Sequence, residues 1–177
     1  LALRRSSAAT IARHLLFLGQ PGTASRDGAC DLGALLTRAA AVPGIARLRF
    51  TSPHPSDMTP SLIRTMAKVP AVAPQLHLPV QSGSDAVLAG MARGYTVAEY
   101  RALVGRLRDA VPDLALSTDV IVGFPDESPD DFEVTCRLLE EIRYDHAYLF
   151  KYSERSLTKA ARLRDSVTEE EKSRRLA

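Results

Sequence analysis

The chain has 177 residues, 45% of them hydrophobic and 25% charged, with a formal net charge of +2. This is the ordinary range of a globular protein, long enough for one domain with a real core. No run is long enough to span a membrane, and the charge leaves no large electrostatic footprint for nucleic acid here, though a second domain could carry one.

Five short apolar runs each lead through turn residues into a helical pattern. The first, Leu15 to Leu18, ends at Gly19-Gln20 and gives way to a loop with Pro21, Gly22, Asp27 and Gly28. The spacing of Leu32, Leu35, Leu36 and Ala39 then predicts a helix from about Asp31 to Ala41. The second run, Ile45 to Phe50, ends at Thr51-Ser52-Pro53-His54-Pro55. Thr59-Pro60 reads as a helix N-cap with proline in the first turn, and the helix should stop near Val69-Pro70.

The third run, Gln75 to Val80, enters the polar loop Gln81-Ser82-Gly83-Ser84-Asp85 and a short helix expected to end at Gly94. Thr96 and Glu99 form a capping-box pattern for the next helix. The fourth run, Leu114 to Val122, encloses Asp119 and closes with Gly123-Phe124-Pro125. Ser128-Pro129-Asp130-Asp131 starts a helix whose inner face is predicted as Phe132, Cys136, Leu139 and Ile142. The fifth run, Tyr144 to Phe150, ends in Lys151-Tyr152-Ser153-Glu154-Arg155, and a last helix starts at Thr168.

This alternation predicts an α/β fold with a mostly parallel sheet and right-handed crossovers. Gln20, Ser52, His54, Gln81, Ser82, Gly123 and Tyr152 all follow strands, which places them on one rim, where barrel enzymes keep their sites. Five strands cannot close a barrel, so an open half-barrel or a missing strand is expected. For Gln81, Ser82 and Ser84 a ligand role competes with a turn that merely caps the next helix. Asp119, within an apolar strand, needs a partner, either a structural Arg or a polar group of the site. Gly123 admits a close backbone approach or serves a plain turn before Pro125. His54, between two prolines, faces substrate or rigidifies its loop. His14 and His146 read as structural, Cys136 as a small core residue and Cys30 as a loop thiol, while Glu169 to Glu171 suit a helix dipole. The basic start Leu1 to Ser7 lacks a signal-peptide core, and the two cysteines have no metal or redox spacing, so a cytoplasmic protein is the plain reading.

Three stretches, Arg49-Phe50-Thr51-Ser52-Pro53-His54-Pro55, His77-Leu78-Pro79-Val80-Gln81-Ser82-Gly83-Ser84-Asp85 and Ser117-Thr118-Asp119-Val120-Ile121-Val122-Gly123-Phe124-Pro125, occur in order. Together they resemble the radical S-adenosylmethionine (SAM) methylthiotransferases, in particular the branch that modifies tRNA. Leu18-Gly19-Gln20 and Phe150 to Arg155 fit the same order, so the resemblance runs from about Phe17 to Leu176.

The resemblance implies an incomplete (β/α) barrel of the radical SAM core, with five parallel strands and the first β/α unit missing. Residues 15–177 would be that partial core. Residues 1–14 match poorly, and the N-terminal methylthiotransferase domain and C-terminal RNA-binding domain would lie outside it. In such enzymes a C-x-x-x-C-x-x-C loop holds a [4Fe-4S] cluster that cleaves SAM to a 5′-deoxyadenosyl radical. Cys30 and Cys136 form no such motif. The resemblance makes Gln20, Ser52, Gln81, Ser82, Ser84, Asp119 and Gly123 cofactor-binding candidates, and His54, Tyr152 and Arg155 substrate-facing ones. It implies methylthiolation of a tRNA adenosine beside the anticodon, with this chain inactive alone. The alternatives are a non-catalytic remnant that binds SAM or a partner weakly, and an enzyme acting on a ribosomal protein. Self-association through an open sheet edge is also expected. Two departures are Asp126, where the family has glycine, and Ser156-Leu157, where it has Pro-Gly; the added carboxylate is expected to crowd a bound anion.

Overall fold

The computed structural model describes residues 13–17, 31–51, 53–154 and 165–177. Each apolar run contains a strand: β1 His14–Phe17, β2 Arg47–Phe50, β3 Gln75–His77, β4 Ala115–Val122 and β5 His146–Lys151. All pairings are parallel, β1 with β2 and β3 with β4 and β5. A parallel bridge between Leu48 and Val72 links the two groups, so the chain order is also the spatial order. Among the described residues the sheet does not close.

On β4 the side chains alternate, with Leu116, Thr118, Val120 and Val122 buried and Ala115, Ser117, Asp119 and Ile121 half-buried. On β2 Leu48 and Phe50 are buried while Arg47 and Arg49 are exposed. This is the period of a sheet packed on helices on one face only. The core lies on that packed face, where Leu36, Leu48, Leu62, Leu76, Leu78, Val80, Leu107, Leu116 and Leu138 are almost fully buried. The opposite face is open and polar.

The helices are α1 Leu32–Ala40, α2 Pro60–Lys68, α3 Asp85–Gly90, α4 Val97–Ala110, α5 Pro129–Ile142 and α6 Glu169–Leu176. Their starts lie where the capping residues put them. Asp31, Thr59, Ser84, Thr96, Ser128 and Thr168 each accept a backbone N–H of the first turn. Thr96 and Ser128 complete reciprocal boxes with Glu99 and Asp131. Helix α2 stops at Val69, before Pro70, as expected.

Two expectations require correction. Helix α3 ends at Gly90, not Gly94, because Ala92 already turns left-handed at φ 55 and takes the chain out of the helix. On α5 the buried residues are Thr135, Leu138 and Ile142, so Cys136 is rotated to the edge of the packed face and is half-buried, not core. The loop Ser82 to Ser84 bonds to α5 at Thr135, while Phe132, Leu139 and Ile142 pack on the core as the spacing predicts.

The turn from β4 to α5 has two left-handed residues, Gly123 at φ 71 and Asp126 at φ 64. An L side chain pays for that conformation, so the physical cost of Asp126 lies in its backbone. Asp126→Gly is expected to stabilise the chain by about 1 kcal/mol. Urea denaturation should show the midpoint rising at an unchanged slope.

Candidate functional site

The polar loop after β3 is built backbone first. Leu78 and Val80 point into the core, and Thr118 Oγ1 accepts the Val80 N–H at 2.9 Å and donates to the Leu78 carbonyl at 3.0 Å. Tyr100 and Tyr95 donate to the Leu78 and Val80 carbonyls. Gln81 then turns left-handed at φ 72, with its N–H on the Asp119 carbonyl and its own carbonyl accepting Ile121 N–H, at 2.8 and 2.9 Å. A non-glycine residue in that region costs about 1–3 kcal/mol and persists where surrounding contacts enforce it.

The other polar residues of the loop are engaged by the protein. Ser82 Oγ lies 3.3 Å from Thr135 Oγ1 and accepts the Ser84 N–H. Gly83 donates to Thr135 Oγ1 at 2.9 Å, and a Cβ on it would lie 2.6 Å from Thr135 Cα, so only glycine fits there. Ser84 caps α3 and donates to Asp131, and Asp85 accepts the Val97 N–H at 2.7 Å. The Gln81 side chain, in a residue only 7% exposed, makes no hydrogen bond to a described residue. Of the three loop candidates, Gln81 is therefore the one left to meet a ligand, while Ser82 and Ser84 serve α3 and α5.

Asp119 is half-exposed on the open face. Its partner is neither an Arg nor buried: His77 Nε2 lies 3.2 Å from Asp119 Oδ2, and His77 Nδ1 lies 2.9 Å from Ser117 Oγ. Tyr148 of β5, in register with Asp119, stands edge-on to the imidazole with centroids 5.9 Å apart. His14 and His146 are both exposed, at the outer strands.

Gly123 donates its N–H to Glu127 Oε2 at 2.6 Å, and a Cβ on it would lie 2.3 Å from Lys172 Cγ. The space beside this glycine is filled by α6. That helix is almost wholly charged and docks through Lys172 and Arg175, its two buried residues. Arg175 pairs with Glu127 in the interior and covers the Phe132 ring, and Lys172 reaches Asp165 and Glu169. Glu127 Oε1 is buried without a partner among the described residues.

Tyr152, expected to face substrate, is buried with Phe124 and Val87 beneath Lys172, and burial first, then Glu154 and Asp165, raises its pKa. His54 accepts the Ser56 N–H and stacks edge-on to Tyr95, 5.3 Å away. Burial pushes the Tyr95 hydroxyl up to about 12, so it stays a donor to Pro79 and Val80. Beside this pair a cleft of about 330 Å³ is lined by Met58, Tyr95, Glu99, Leu103 and Arg106. Neither Gln81, Asp119 nor Gly123 lines it. Gln20, Ser52 and Arg155 lie outside the described residues. One group escaped the sequence reading. Arg93, between α3 and α4, has a buried Nε with no partner among the described residues. Nothing in its local pattern distinguished it from a turn arginine.

A half-open parallel sheet, with a polar open face and a ribbon of turns at its carboxyl ends, defines the class, an incomplete β/α barrel. The radical SAM superfamily profile matches residues 4–139, and the chain belongs to that superfamily. It is 47% identical to the tRNA-2-methylthio-N(6)-dimethylallyladenosine synthase of Magnetococcus marinus, over 93% of this chain and 39% of that protein. The synthases of that name from Aromatoleum aromaticum and Hahella chejuensis are 48% and 49% identical over 93% of this chain, and 39% and 38% of their own. The chain thus spans about two fifths of these relatives. Among solved structures, the radical SAM enzyme coproporphyrinogen III oxidase from Escherichia coli superposes with a TM-score of 0.67 at 18% identity, covering 90% of this chain and 38% of that one. That likeness bears on the fold alone.

The superfamily implies SAM and an iron–sulfur cluster. Cluster ligands must be thiolates, and the sequence has two cysteines. Burial, then Glu133 and Glu140, raises the Cys136 thiol, which keeps it protonated, and no three His, Cys, Asp or Glu side chains among the described residues could hold a metal ion. These residues do not fit a cluster.

Two outcomes follow for stability. Arg175→Met leaves the Glu127 carboxylate buried and unpaired, which should cost about 3–5 kcal/mol, seen as a lowered denaturation midpoint. Burial pushes the Asp131 carboxyl up, but hydrogen bonds from Ser128 and Ser84 outweigh it and hold its pKa below the ordinary value. A depressed carboxylate stabilises above its unfolded pKa, roughly 4, and that contribution fades as pH falls through the folded value. Stability measured from about pH 6 down to 2 should therefore fall less steeply for Asp131→Asn than for the parent chain.

Proposed function

We propose that this chain is the SAM-binding centre of a tRNA methylthiotransferase that modifies an adenosine beside the anticodon. The similarity to synthases of that name over nearly the whole chain supports the tRNA substrate rather than a ribosomal protein. The observation that carries the binding site is Gln81, a left-handed residue bonded through its backbone to Asp119 and Ile121, whose side chain makes no hydrogen bond to a described residue. Strain retained at a strand end beside an open polar face is the mark of a ligand position.

In this reading Gln81 and Asp119 hydrogen-bond the ribose of SAM, while Gly123, whose open side is filled by Lys172, lets α6 close over the strand end. Arg93 offers a charge for the methionine carboxylate. Gln20 and Ser52 are the remaining cofactor candidates, with His54 and Arg155 toward the tRNA, while the buried Ser82 and Tyr152 serve the fold. SAM supplies the methyl group and radical chemistry; the residues of this chain bind and orient it. With two cysteines the chain alone does not assemble the reducing cluster, so it binds SAM without turning it over. The edge of β5, unpaired among the described residues and with Tyr148, Leu149 and Phe150 exposed, favours self-association of the isolated chain.

Titration calorimetry with SAM tests the site. Gln81→Ala should weaken binding on the order of tenfold and Asp119→Asn on the order of ten- to a hundredfold, with little change in melting temperature. Equal affinity in both variants would refute the assignment. Anaerobic reconstitution with iron and sulfide should leave no [4Fe-4S] absorbance, and a spectrum of such a centre would overturn the claim of inactivity.

A further inference from the structure

We infer that His77 is a positioning residue, which orients the Asp119 carboxylate toward a bound ribonucleoside; this rests on the reading of Asp119 as a ribose ligand. The β3–β4 register sets His77 opposite Ser117, and Asp119 follows two residues on along the same face. The imidazole thereby bridges two residues of β4, with Nδ1 2.9 Å from Ser117 Oγ and Nε2 3.2 Å from Asp119 Oδ2.

The 3.2 Å approach of Nε2 is an ionic contact, and since a carboxylate only accepts, it is attractive when Nε2 carries a proton. Ser117 then donates to Nδ1 of a neutral ring or accepts from a charged one, and in both cases it keeps the ring from turning over. Tyr148 flanks the ring edge-on at 68°, as a second stop. Oδ2 of Asp119 thus faces His77, and Oδ1 makes no hydrogen bond to a described residue. The side chains of His77 and Asp119 are 25% and 28% exposed, a setting in which an ion pair adds little to folding. Three side chains on two strands and a ring from a third are an elaborate arrangement for so small a gain in stability. What they do achieve is a carboxylate with one rotamer and one free oxygen, ready to accept a hydroxyl without first losing that freedom.

The test measures SAM affinity and melting temperature together. His77→Ala should weaken SAM binding by about tenfold, at a melting temperature close to that of the parent chain. His77→Gln, whose amide N–H can reach the Nε2 position, should recover most of the affinity. In an Asp119→Asn background His77→Ala should have no further effect, since the two act through one carboxylate. Unchanged affinity in His77→Ala, or fully additive losses, would overturn the inference while leaving the SAM site standing. Failure of the parent chain to bind SAM would instead sink the proposed function. The positioning contact is then judged without ligand, from the imidazole nitrogen resonances: a proton on His77 Nε2 upholds it, and a ring protonated on Nδ1 alone disproves it.

Discussion

The close approach of Gly83 to the backbone of α5 is the constraint on which the candidate site depends. With no Cβ at this position, the loop after β3 can lay its N–H on Thr135 and bring Ser82 and Ser84 within reach of Thr135 and Asp131. That contact ties two β/α units together across β4. It also forces the turn at Gln81, because the chain must leave the sheet sharply to reach α5, and a left-handed residue accomplishes that in one step. Most of the polar groups of the loop hold helices in place, and the Gln81 side chain bonds to none of the described residues.

At the far side of β4 the same problem is solved with charge. Helix α6 has too few apolar residues to dock by a hydrophobic stripe, and instead buries the stem of Lys172 over Gly123 and the guanidinium of Arg175 against Glu127. Arg175 and Gly123 share Glu127 Oε2, so the last helix and the turn after β4 are joined through one carboxylate. A buried pair of this kind gains little over an apolar contact in stability but is costly to break, which makes the arrangement specific rather than strong.

Much of this was legible in the residues. The five strands, their parallel order and the starts of the helices at Asp31, Thr59, Thr96, Ser128 and Thr168 follow from local rules, since a cap bonds to its own first turn. The end of α3 and the place of Cys136 on α5 were not legible, because a left-handed alanine ends the one and the inward turn of Thr135 and Leu138 leaves the other at the edge of the packed face. Asp119 was seen to need a partner, either an Arg or a polar group of the site, but the register that brings His77 of β3 beside it is tertiary, so His77 was missed. Asp126 was read as a charge problem, whereas its φ of 64 shows a backbone one.

By itself the sequence determined which segments extend, which coil, and that the polar residues gather at the carboxyl ends of the strands, for these depend on periodicity and on neighbours three or four positions away. Only the tertiary structure decided how those polar groups divide their work. Ser82, Ser84 and Asp85 turn to helices, His77 turns to Asp119, and the Gln81 amide turns to none of the described residues. A hydrogen bond forms with the partner nearest in space, and Thr135, Asp131 and Val97, which engage Ser82, Ser84 and Asp85, lie between 12 and 53 residues away along the chain.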